Sequence, residues 1–271
     1  MKAAVLGKPI EHSLSPILHM AAYKVLGLDW QFEKHEVDVE GLAAFLQSAP
    51  SDIAGYALTM PLKDEAFERA ASSDVYAART QAANTLIRGD KGWYAFNTDA
   101  PGFVSALRKA EVASVSNPVV IGGGATARSA IAALQDLGTQ KVTVVARRES
   151  AVSEIRILFP ELHVEGIPFL NTPIAGDVVI STLPAGAADH LEVANSVNVF
   201  FDVIYAPWPT MMAREAMKSG ITVLGGLDLL VSQAVEQVIL MTHCSDELRA
   251  DLASAMYEAG LAVQQQRSRA D

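Results

Sequence analysis

The chain has 271 residues, of which 50% are hydrophobic and 19% charged, and its formal net charge is -10. It is long enough for one large or two modest globular domains, and its acidity excludes the basic stripe that binding to a nucleic-acid backbone requires. The longest apolar helical pattern, residues 226–243, carries Asp228, Glu236 and two glutamines, so no membrane-spanning segment is predicted.

Short β-rich runs alternate with helical patterns in the first part of the chain, which is typical of βα units on a mostly parallel sheet. Strands are predicted at residues 2–7, 30–37 and 53–60, and helices at residues 15–28, 41–49 and 63–71. Residues 84–88 and 93–97 flank the tetrapeptide GDKG, whose turn residues predict a hairpin. A helix at residues 101–110 ends this half.

A second βαβ series follows the polar stretch at residues 111–118, so a domain junction is predicted near residues 100–116. The series starts with a strand and a helix within residues 119–138. Further strands are predicted at residues 141–147, 177–182, 197–205 and 222–226, and helices at residues 209–220, from Leu227 and from Ser245.

A glycine-rich turn follows the first strand of the second series. Gly122, Gly124 and Ala127 have the spacing G-x-G-x-x-A, and a helical pattern follows at once. A dinucleotide-binding fingerprint requires this order, because glycines permit a tight turn and a close approach to a pyrophosphate at the helix N-terminus. A plain strand-to-helix turn is the alternative.

The end of the next strand distinguishes NADP from NAD. A NAD site needs Asp or Glu about twenty residues after the glycines, to hold the ribose hydroxyls. Ala146 stands there in this chain, followed by Arg147 and Arg148. Because guanidinium groups suit a 2′-phosphate, NADP is predicted as the cofactor. A solvated arginine pair with Glu149 as surface partner is the alternative.

Two serines precede the first predicted helix. Ser15 is predicted as its N-cap and Pro16 as its first residue, which leaves Ser13 unexplained. Two hydroxyls beside a helix N-terminus can also bind a carboxylate, although capping ranks above binding on this feature alone.

Histidines could act as bases near neutral pH. His12 and His19 lie at no metal-ligand spacing, and the other histidines are scattered, so both are interpreted as structural or as supporting a residue of the site. No metal site is predicted.

Several short motifs, in one order along nearly the whole chain, make the sequence resemble the shikimate dehydrogenase family of NADP enzymes, which interconvert 3-dehydroshikimate and shikimate. The motifs are SLSP, LTMPLK, AANT, NTD, GGGATAR, ARR, YAPWPT and GLDLLVSQA. Their combination and order are far more specific than any single motif.

The resemblance implies an α/β fold of two domains. An N-terminal α/β substrate-binding domain is expected at residues 1–101 and 240–271, and a Rossmann-like, doubly wound NADP-binding domain at residues 102–239. The C-terminal helix is expected to return to the first domain, which agrees with the helical pattern there.

The resemblance also implies the site residues. Lys63 and Asp99 match the catalytic pair, which also contacts the substrate. The remaining substrate-binding positions are Ser13, Ser15 and Tyr205 around the substrate carboxylate, and Thr59, Asn84 and Gln233 at the ring hydroxyls. The cofactor-binding positions are Gly122, Gly123, Gly124, Ala125, Thr126, Ala127, Ala146, Arg147, Arg148, Thr182, Leu183 and Gly226.

The chemistry of such a reaction explains the catalytic pair. Oxidation of a secondary alcohol needs a group that takes the hydroxyl proton while hydride leaves the same carbon for a nicotinamide. Lys63 is predicted to transfer that proton, with Asp99 beside it. An ordinary surface lysine is disfavoured, because helix dipoles prefer acidic residues at the helix start that Lys63 occupies.

One departure from the family pattern leaves more than one candidate substrate. Ala57 stands where the family usually has Asn or Ser, and it makes no side-chain hydrogen bond. A paralogous dehydrogenase of quinate or another cyclic polyol acid is therefore an alternative. A nucleotide-binding module without catalysis is a further alternative, against which the presence of both Lys63 and Asp99 argues.

The expected partner is a small-molecule substrate, with no nucleic acid and no membrane. Cys244 is the single cysteine, so it cannot form an internal disulfide, and a reducing, cytoplasmic setting is expected. The resemblance implies a monomer or a homodimer.

Overall fold

The structure is a computed structural model that describes residues 1–169 and 172–270. The chain divides into two compact units. The first unit is formed by Met1–Gly102 and Leu230–Val263, and the second by Phe103–Leu229 and the end of the chain from Gln264. The predicted domain ranges include residues 170, 171 and 271, which lie outside the described residues.

The first unit contains a six-stranded mixed sheet with the strand order β2-β1-β3-β5-β6-β4. Its strands are β1 (Lys2–Gly7), β2 (Gln31–Glu36), β3 (Ile53–Leu58), β4 (Ser72–Ser73), β5 (Thr85–Gly89) and β6 (Gly92–Phe96). β1 pairs in parallel with β2 and β3, whereas β5 is antiparallel to β3 and β6. The predicted hairpin is confirmed, and Gly89 lies opposite Gly92 at its turn.

Helices connect these strands. They are α1 (Ser15–Val25), α2 (Val39–Gln47), α3 (Lys63–Arg69), α4 (Val75–Thr80) and α5 (Asp99–Lys109). α5 begins two residues before its predicted start, so Asp99 is its first residue. α4 and the two-residue β4 were not predicted, because both are too short to show a period. Asp74 caps α4 by accepting a hydrogen bond from the N–H of Ala77 at 2.7 Å.

The start of α1 corrects the sequence analysis. The N-cap is Leu14, and Ser15 is already helical, so the prediction of Ser15 as N-cap is wrong. Oγ of Ser13 accepts a hydrogen bond from the N–H of Ser15 at 3.3 Å. The Ser13 side chain therefore contacts the backbone at the start of α1, although Leu14 is the N-cap.

The core of the first unit joins its sheet to α2 and α3. Its buried residues include Leu6 of β1, Leu58 of β3, Leu42 of α2 and Ala66 of α3. Burial of such side chains is worth about 1.5–3 kcal/mol each for the larger ones. This packing therefore fixes the position of α3 relative to the ends of β1 and β3.

The second unit contains a six-stranded sheet with the order β12-β11-β10-β7-β8-β9, in which all pairs are parallel. Its strands are β7 (Val119–Ile121), β8 (Lys141–Val145), β9 (His163–Ile167), β10 (Val178–Ser181), β11 (Val199–Asp202) and β12 (Thr222–Leu224). This is the strand order of a doubly wound nucleotide-binding sheet, in which the order reverses between β7 and β10.

The remaining helices follow the strands of this sheet. They are α6 (Ala125–Asp136), α7 (Glu149–Leu158), α8 (Met211–Lys218), α9 (Gly226–Thr242) and, after a 3₁₀ turn at Asp246–Leu248, α10 (Arg249–Ala270). The sequence analysis assigned no element to α7 or β9. β9 reads HVEGI and lies at the edge of the sheet, so its apolar pattern is weak. In the described part of the chain, no helix is both long enough and apolar enough to cross a membrane.

His19 is fully buried in the first unit, which agrees with its interpretation as structural. Its ring stacks on Phe32 with the centroids 3.9 Å apart, and Nδ1 donates a hydrogen bond to the carbonyl of Ser15 at 2.8 Å. Burial lowers the pKa of His19 from 6.5 to about 4, with the hydrogen bond to Ser15 opposing the shift.

We expect His19 to make the stability of the protein depend on pH. The unfolded chain binds a proton at this position below pH 6.5, whereas the folded chain binds it only near pH 4. Its contribution is therefore fully present above pH 6.5, and about 3 kcal/mol of the free energy of unfolding is lost as the pH falls toward 4. Urea unfolding between pH 4 and 8 measures this loss. The variant His19→Gln should lack this component, and identical pH dependence in both proteins would contradict the prediction.

Candidate functional site

Lys63 and Asp99 form a buried ion pair in the first unit. Lys63 begins α3, directly after β3, and Asp99 begins α5, directly after β6. Nζ of Lys63 lies 2.5 Å from Oδ2 of Asp99, and the two side chains are only 14% and 7% exposed. A charged hydrogen bond in such surroundings is strong. The amine and the carboxylate can therefore exchange a proton with a third group that reaches them.

The helix dipole affects the charges of Lys63 and Asp99 in opposite ways. The positive end of a helix dipole stabilises a carboxylate and opposes an ammonium group. Asp99 is therefore favoured at the start of α5. Lys63 is not favoured by the dipole of α3, and it finds its counter-charge in Asp99. This geometry differs from that of an ordinary exposed lysine.

Asn84 holds the second oxygen of the Asp99 carboxylate. It precedes β5, and its Nδ2 donates a hydrogen bond to Oδ1 of Asp99 at 2.8 Å. The N–H of Thr98 donates to Oδ1 of Asn84 at 2.8 Å. A reversed amide would place its oxygen against the carboxylate and its NH₂ group against another donor, so these contacts determine its orientation. Both oxygens of Asp99 therefore have fixed partners.

Gln233 completes the cluster from α9. Its Oε1 accepts a hydrogen bond from Nδ2 of Asn84 at 3.2 Å, and its Nε2 donates to the carbonyl of Leu230 at 2.8 Å. The structure thus brings Lys63, Asn84, Asp99 and Gln233 together from distant parts of the sequence. We call these four residues the polar cluster.

The other predicted substrate-binding residues of the first unit lie in the connections that follow β1 and β3 and in the first turn of α1. β1 and β3 pair in parallel, so the loops that carry Ser13 and Thr59 leave from neighbouring strand ends. Ser15 is buried in the first turn of α1, and Ser13 is partly buried beside it. The N–H of Thr59 donates to the carbonyl of Leu6 at 2.9 Å, which holds this loop against β1.

The glycine-rich turn of the second unit joins β7 to α6. Gly122 has a φ of +117°, and a Cβ atom on it would lie 2.3 Å from Oγ1 of Thr182. Both its backbone conformation and its surroundings therefore require glycine. Oγ1 of Thr182 donates to the carbonyl of Ile121 at 2.9 Å, so β7 and β10 are joined where the strand order reverses.

The next residues leave space above the start of α6. A Cβ atom on Gly123 would lie 2.8 Å from Cβ of Ala151, whereas one on Gly124 would meet no described atom within 4 Å. Gly124 is the N-cap of α6 and has no side chain with which to cap it. Ala125 and Thr126 open the helix, and the small, buried Ala127 lets it pack closely on the sheet. This end of α6 has the features of an anion-binding site.

The arginines lie at the adjacent strand end. β8 pairs in parallel with β7, and Ala146, Arg147 and Arg148 follow it, with both arginines exposed. The structure pairs Glu149 with Arg156, whose Nη1 donates to its Oε1 at 2.6 Å. Glu149 therefore has a partner within α7. Both arginines thus follow the strand that neighbours β7, whose end carries the glycine-rich turn.

The last predicted positions of the second unit follow β10, β11 and β12. Leu183 comes directly after Thr182, and both are partly buried. Tyr205 follows β11, its carbonyl accepts a hydrogen bond from Nε2 of Gln264 at 2.8 Å, and burial raises the pKa of its phenol. Gly226 begins α9, where a Cβ atom would lie 2.3 Å from the carbonyl oxygen of Val203. Tyr205 belongs to the second unit, whereas Ser13 and Ser15 belong to the first.

The sequence analysis missed two hydroxyl residues that bond to the polar cluster. Thr98 and Thr85 are buried, and their Oγ1 atoms both donate to Oδ1 of Asn84 at 3.0 Å. Thr98 stands inside the NTD motif and Thr85 ends the AANT motif, so the motifs contained both residues. Threonine is common in strands and loops, and no spacing distinguishes a buried donor from a surface one. Among residues 1–169 and 172–270, no group of three or more His, Cys, Asp or Glu side chains could hold a metal ion.

Comparison with known proteins identifies relatives along most of the chain. The family described as shikimate dehydrogenase substrate binding domain matches residues 5–86. A shikimate dehydrogenase (NADP(+)) of Sinorhizobium fredii is 33% identical over 246 residues, which cover 86% of this chain and 86% of that protein. The crystal structure of Mycobacterium tuberculosis shikimate dehydrogenase has a TM-score of 0.86 at 34% identity and covers 96% of this chain and 99% of that one.

A second solved structure has bound ligands. It is shikimate 5-dehydrogenase from Thermus thermophilus in complex with NADP(H) and shikimate. The TM-score is 0.83 at 28% identity, and the match covers 97% of this chain and 99% of that one. The predicted fold class, an α/β substrate-binding domain with a Rossmann-like NADP-binding domain, is confirmed by these matches.

We expect alanine at two neighbouring glycines to have different effects. Gly122→Ala should lower the free energy of unfolding by about 2 kcal/mol or more, because of its positive φ and the clash with Thr182. Gly124→Ala should cost less than about 1 kcal/mol, since its φ is ordinary and the space is open. Urea unfolding of both variants tests this difference. A loss of unfolding free energy in Gly122→Ala that is no larger than the loss in Gly124→Ala would contradict the prediction.

Proposed function

The chain belongs to the shikimate dehydrogenase family, and we propose that it is an NADP-dependent oxidoreductase that interconverts 3-dehydroshikimate and shikimate. Relatives with this name cover most of the chain at 33–34% identity. The buried pair of Lys63 and Asp99, fixed by Asn84, is the observation that carries the proposal, because it supplies the proton-transfer group that oxidation of an alcohol needs.

We propose that the first unit binds the substrate and performs the proton transfer. Nζ of Lys63 takes the proton of the substrate hydroxyl during oxidation and returns it during reduction, and Asp99 holds Nζ in place. Asn84, Gln233 and Thr59 contact the ring hydroxyls. Nδ2 of Asn84 donates a hydrogen bond to Oε1 of Gln233. A substrate hydroxyl that binds between them would replace this hydrogen bond with hydrogen bonds of its own to both side chains.

We propose that the second unit holds NADP, whose bound nicotinamide supplies the hydride acceptor and donor of the reaction. The open start of α6 at Gly124 holds the pyrophosphate, and Arg147 and Arg148 meet the 2′-phosphate. The residues after β10 and β12, Thr182, Leu183 and Gly226, contact the rest of the cofactor. The fit depends on backbone that approaches closely without side chains, as Gly122 and Gly124 provide.

The carboxylate of the substrate is assigned to Ser13, Ser15 and Tyr205. The two serines lie at the start of α1, whose dipole favours an anion. Burial raises the pKa of Tyr205, so its phenol stays protonated and can donate a hydrogen bond at neutral pH.

One residue favours a second candidate substrate. Ala57 is buried in β3 opposite Thr85 and has no polar side-chain atom. A site without a polar anchor at this position discriminates less between shikimate and related cyclic polyol acids such as quinate. Quinate dehydrogenase activity is therefore the alternative.

The remaining proposals concern the setting of the protein. We propose a small molecule as its partner, a monomer or homodimer as its assembly and the cytoplasm as its location. The single cysteine, Cys244, supports a reducing compartment.

The proposal is tested by the formation of NADPH or NADH with shikimate and with quinate, each offered with NADP⁺ and with NAD⁺. The highest kcat/KM is expected for shikimate with NADP⁺. Activity restricted to quinate would transfer the assignment to the alternative, and binding of NADP without turnover of either acid would indicate a nucleotide-binding module.

We expect Lys63→Ala to lower kcat by about 10²–10⁴-fold while KM for shikimate changes little, because a proton-transfer group acts mainly in the transition state. Steady-state kinetics measure both constants. Lys2→Ala is the matched control, because Lys2 also pairs with a carboxylate, that of Glu33, at the opposite end of β1. An unchanged kcat with a raised KM would contradict the assigned role.

We expect Arg147→Ala to raise KM for NADP⁺ by about 10–100-fold and to leave KM for NAD⁺ nearly unchanged, because only NADP carries the 2′-phosphate. Arg156→Ala is the control, since this nearby arginine pairs with Glu149. An equal loss for both cofactors would assign Arg147 to the fold rather than to the phosphate.

A further inference from the structure

Gln237 is a buried polar residue of α9 that no motif identified. It lies one helical turn after Gln233, and it is only 1% exposed. Its Nε2 donates one hydrogen bond to the carbonyl of Asn84 at 3.1 Å and another to Oγ1 of Thr85 at 3.0 Å. Gln237 therefore contacts the residue that orients Asp99 without contacting Asp99 itself.

The bonds from Gln237 give the hydroxyl of Thr85 a fixed direction. A threonine hydroxyl has a single proton to donate. Because Nε2 of Gln237 donates to Oγ1 of Thr85, the hydroxyl proton is left to donate to Oδ1 of Asn84, at 3.0 Å. Oδ1 of Asn84 also accepts from the N–H and from Oγ1 of Thr98. The Thr85 hydroxyl is therefore a further donor that holds this oxygen as an acceptor, with Nδ2 directed at Oδ1 of Asp99.

We propose that Gln237 is a positioning residue of the reaction. It directs Thr85 onto Asn84, Asn84 onto Asp99, and Asp99 onto Lys63, so that the carboxylate presents Oδ2 to Nζ in one orientation. The inference rests on the proposed function, because it assigns Gln237 a role in the proton transfer of Lys63.

Packing alone does not account for a glutamine here. Oε1 of Gln237 is buried and has no hydrogen-bond partner among the described residues. A buried acceptor without a partner is destabilising, and an apolar side chain of the same length avoids that cost. The carbonyl of Asn84 also accepts from the N–H of Leu58 at 2.7 Å, so it keeps a partner when Gln237 is replaced.

The variant Gln237→Met separates positioning from packing, because methionine has a similar length and no donor. We expect kcat with shikimate to fall at least tenfold, KM for NADP⁺ to stay within twofold, and the midpoint of urea unfolding not to fall. Thr85→Val should behave in the same way, and Thr85→Ser, which keeps the hydroxyl, should restore kcat. The double variant Gln237→Met/Thr85→Val should be no slower than Thr85→Val alone, because both changes break one chain of bonds.

A matched control lies on the same helix. Oγ1 of Thr242 donates to the carbonyl of Val238 within α9, and Thr242→Val therefore removes a hydroxyl without touching the bonds to Asn84. This variant should keep the wild-type kcat.

A readout that does not need turnover separates this inference from the proposed function. The side-chain amide signals of Asn84 in ¹⁵N-labelled protein report its hydrogen bonds. Gln237→Met should shift these signals and Thr242→Val should not. Unchanged signals and a wild-type kcat in Gln237→Met would overturn the role of Gln237. A kcat that falls only in step with stability, without rescue by Thr85→Ser, would also overturn it. If Gln237→Met shifts the amide signals of Asn84 but the wild-type protein oxidises no shikimate, only the proposed function is overturned.

Discussion

The hydrogen-bonded ion pair between Lys63 and Asp99 is the interaction on which the polar cluster of the first unit depends. Removing two charges from water costs several kcal/mol for each ion, and their attraction offsets this cost only when the geometry is good and the remaining lone pairs are satisfied. Asn84 satisfies the second oxygen of Asp99. A pair of apolar residues would stabilise such a position at least as well, so the pair is better explained by its chemistry than by stability.

The sheet supplies the geometry that the pair needs. β3 and β6 both point toward the edge where α3 and α5 begin, because each is antiparallel to β5, which lies between them. Short connections follow both strands, so Lys63 and Asp99 can each move little relative to the sheet. α9 adds Gln233 to this edge. The positions of Lys63 and Asp99 are therefore determined by strand pairing and core packing rather than by a flexible loop.

The sequence predicted the polar cluster better than it predicted the bonds within it. Lys63, Asn84, Asp99 and Gln233 were named from short motifs, and their side chains do meet. The start of α5 at Asp99 was missed, because Pro101 marks a helix start and the capping contacts before it depend on tertiary structure. Ser15 was misassigned for a similar reason, since α1 starts one residue earlier than predicted and Leu14 is its N-cap. Gln237 left no local signal, because its partners lie about 150 residues away in sequence.

The two arginines after β8 are exposed to water, whereas the ion pair is buried. The interactions of these two groups should therefore respond differently to the ionic strength of the medium. Dissolved ions weaken the attraction between exposed charges beyond about 8 Å at physiological concentrations, and they act much less on buried ones. Added salt should therefore weaken the attraction of Arg147 and Arg148 for the 2′-phosphate of the proposed cofactor, while the buried contact of Lys63 with Asp99 persists. Nucleotide affinity and the proton-transfer step would then respond separately to the same change of buffer.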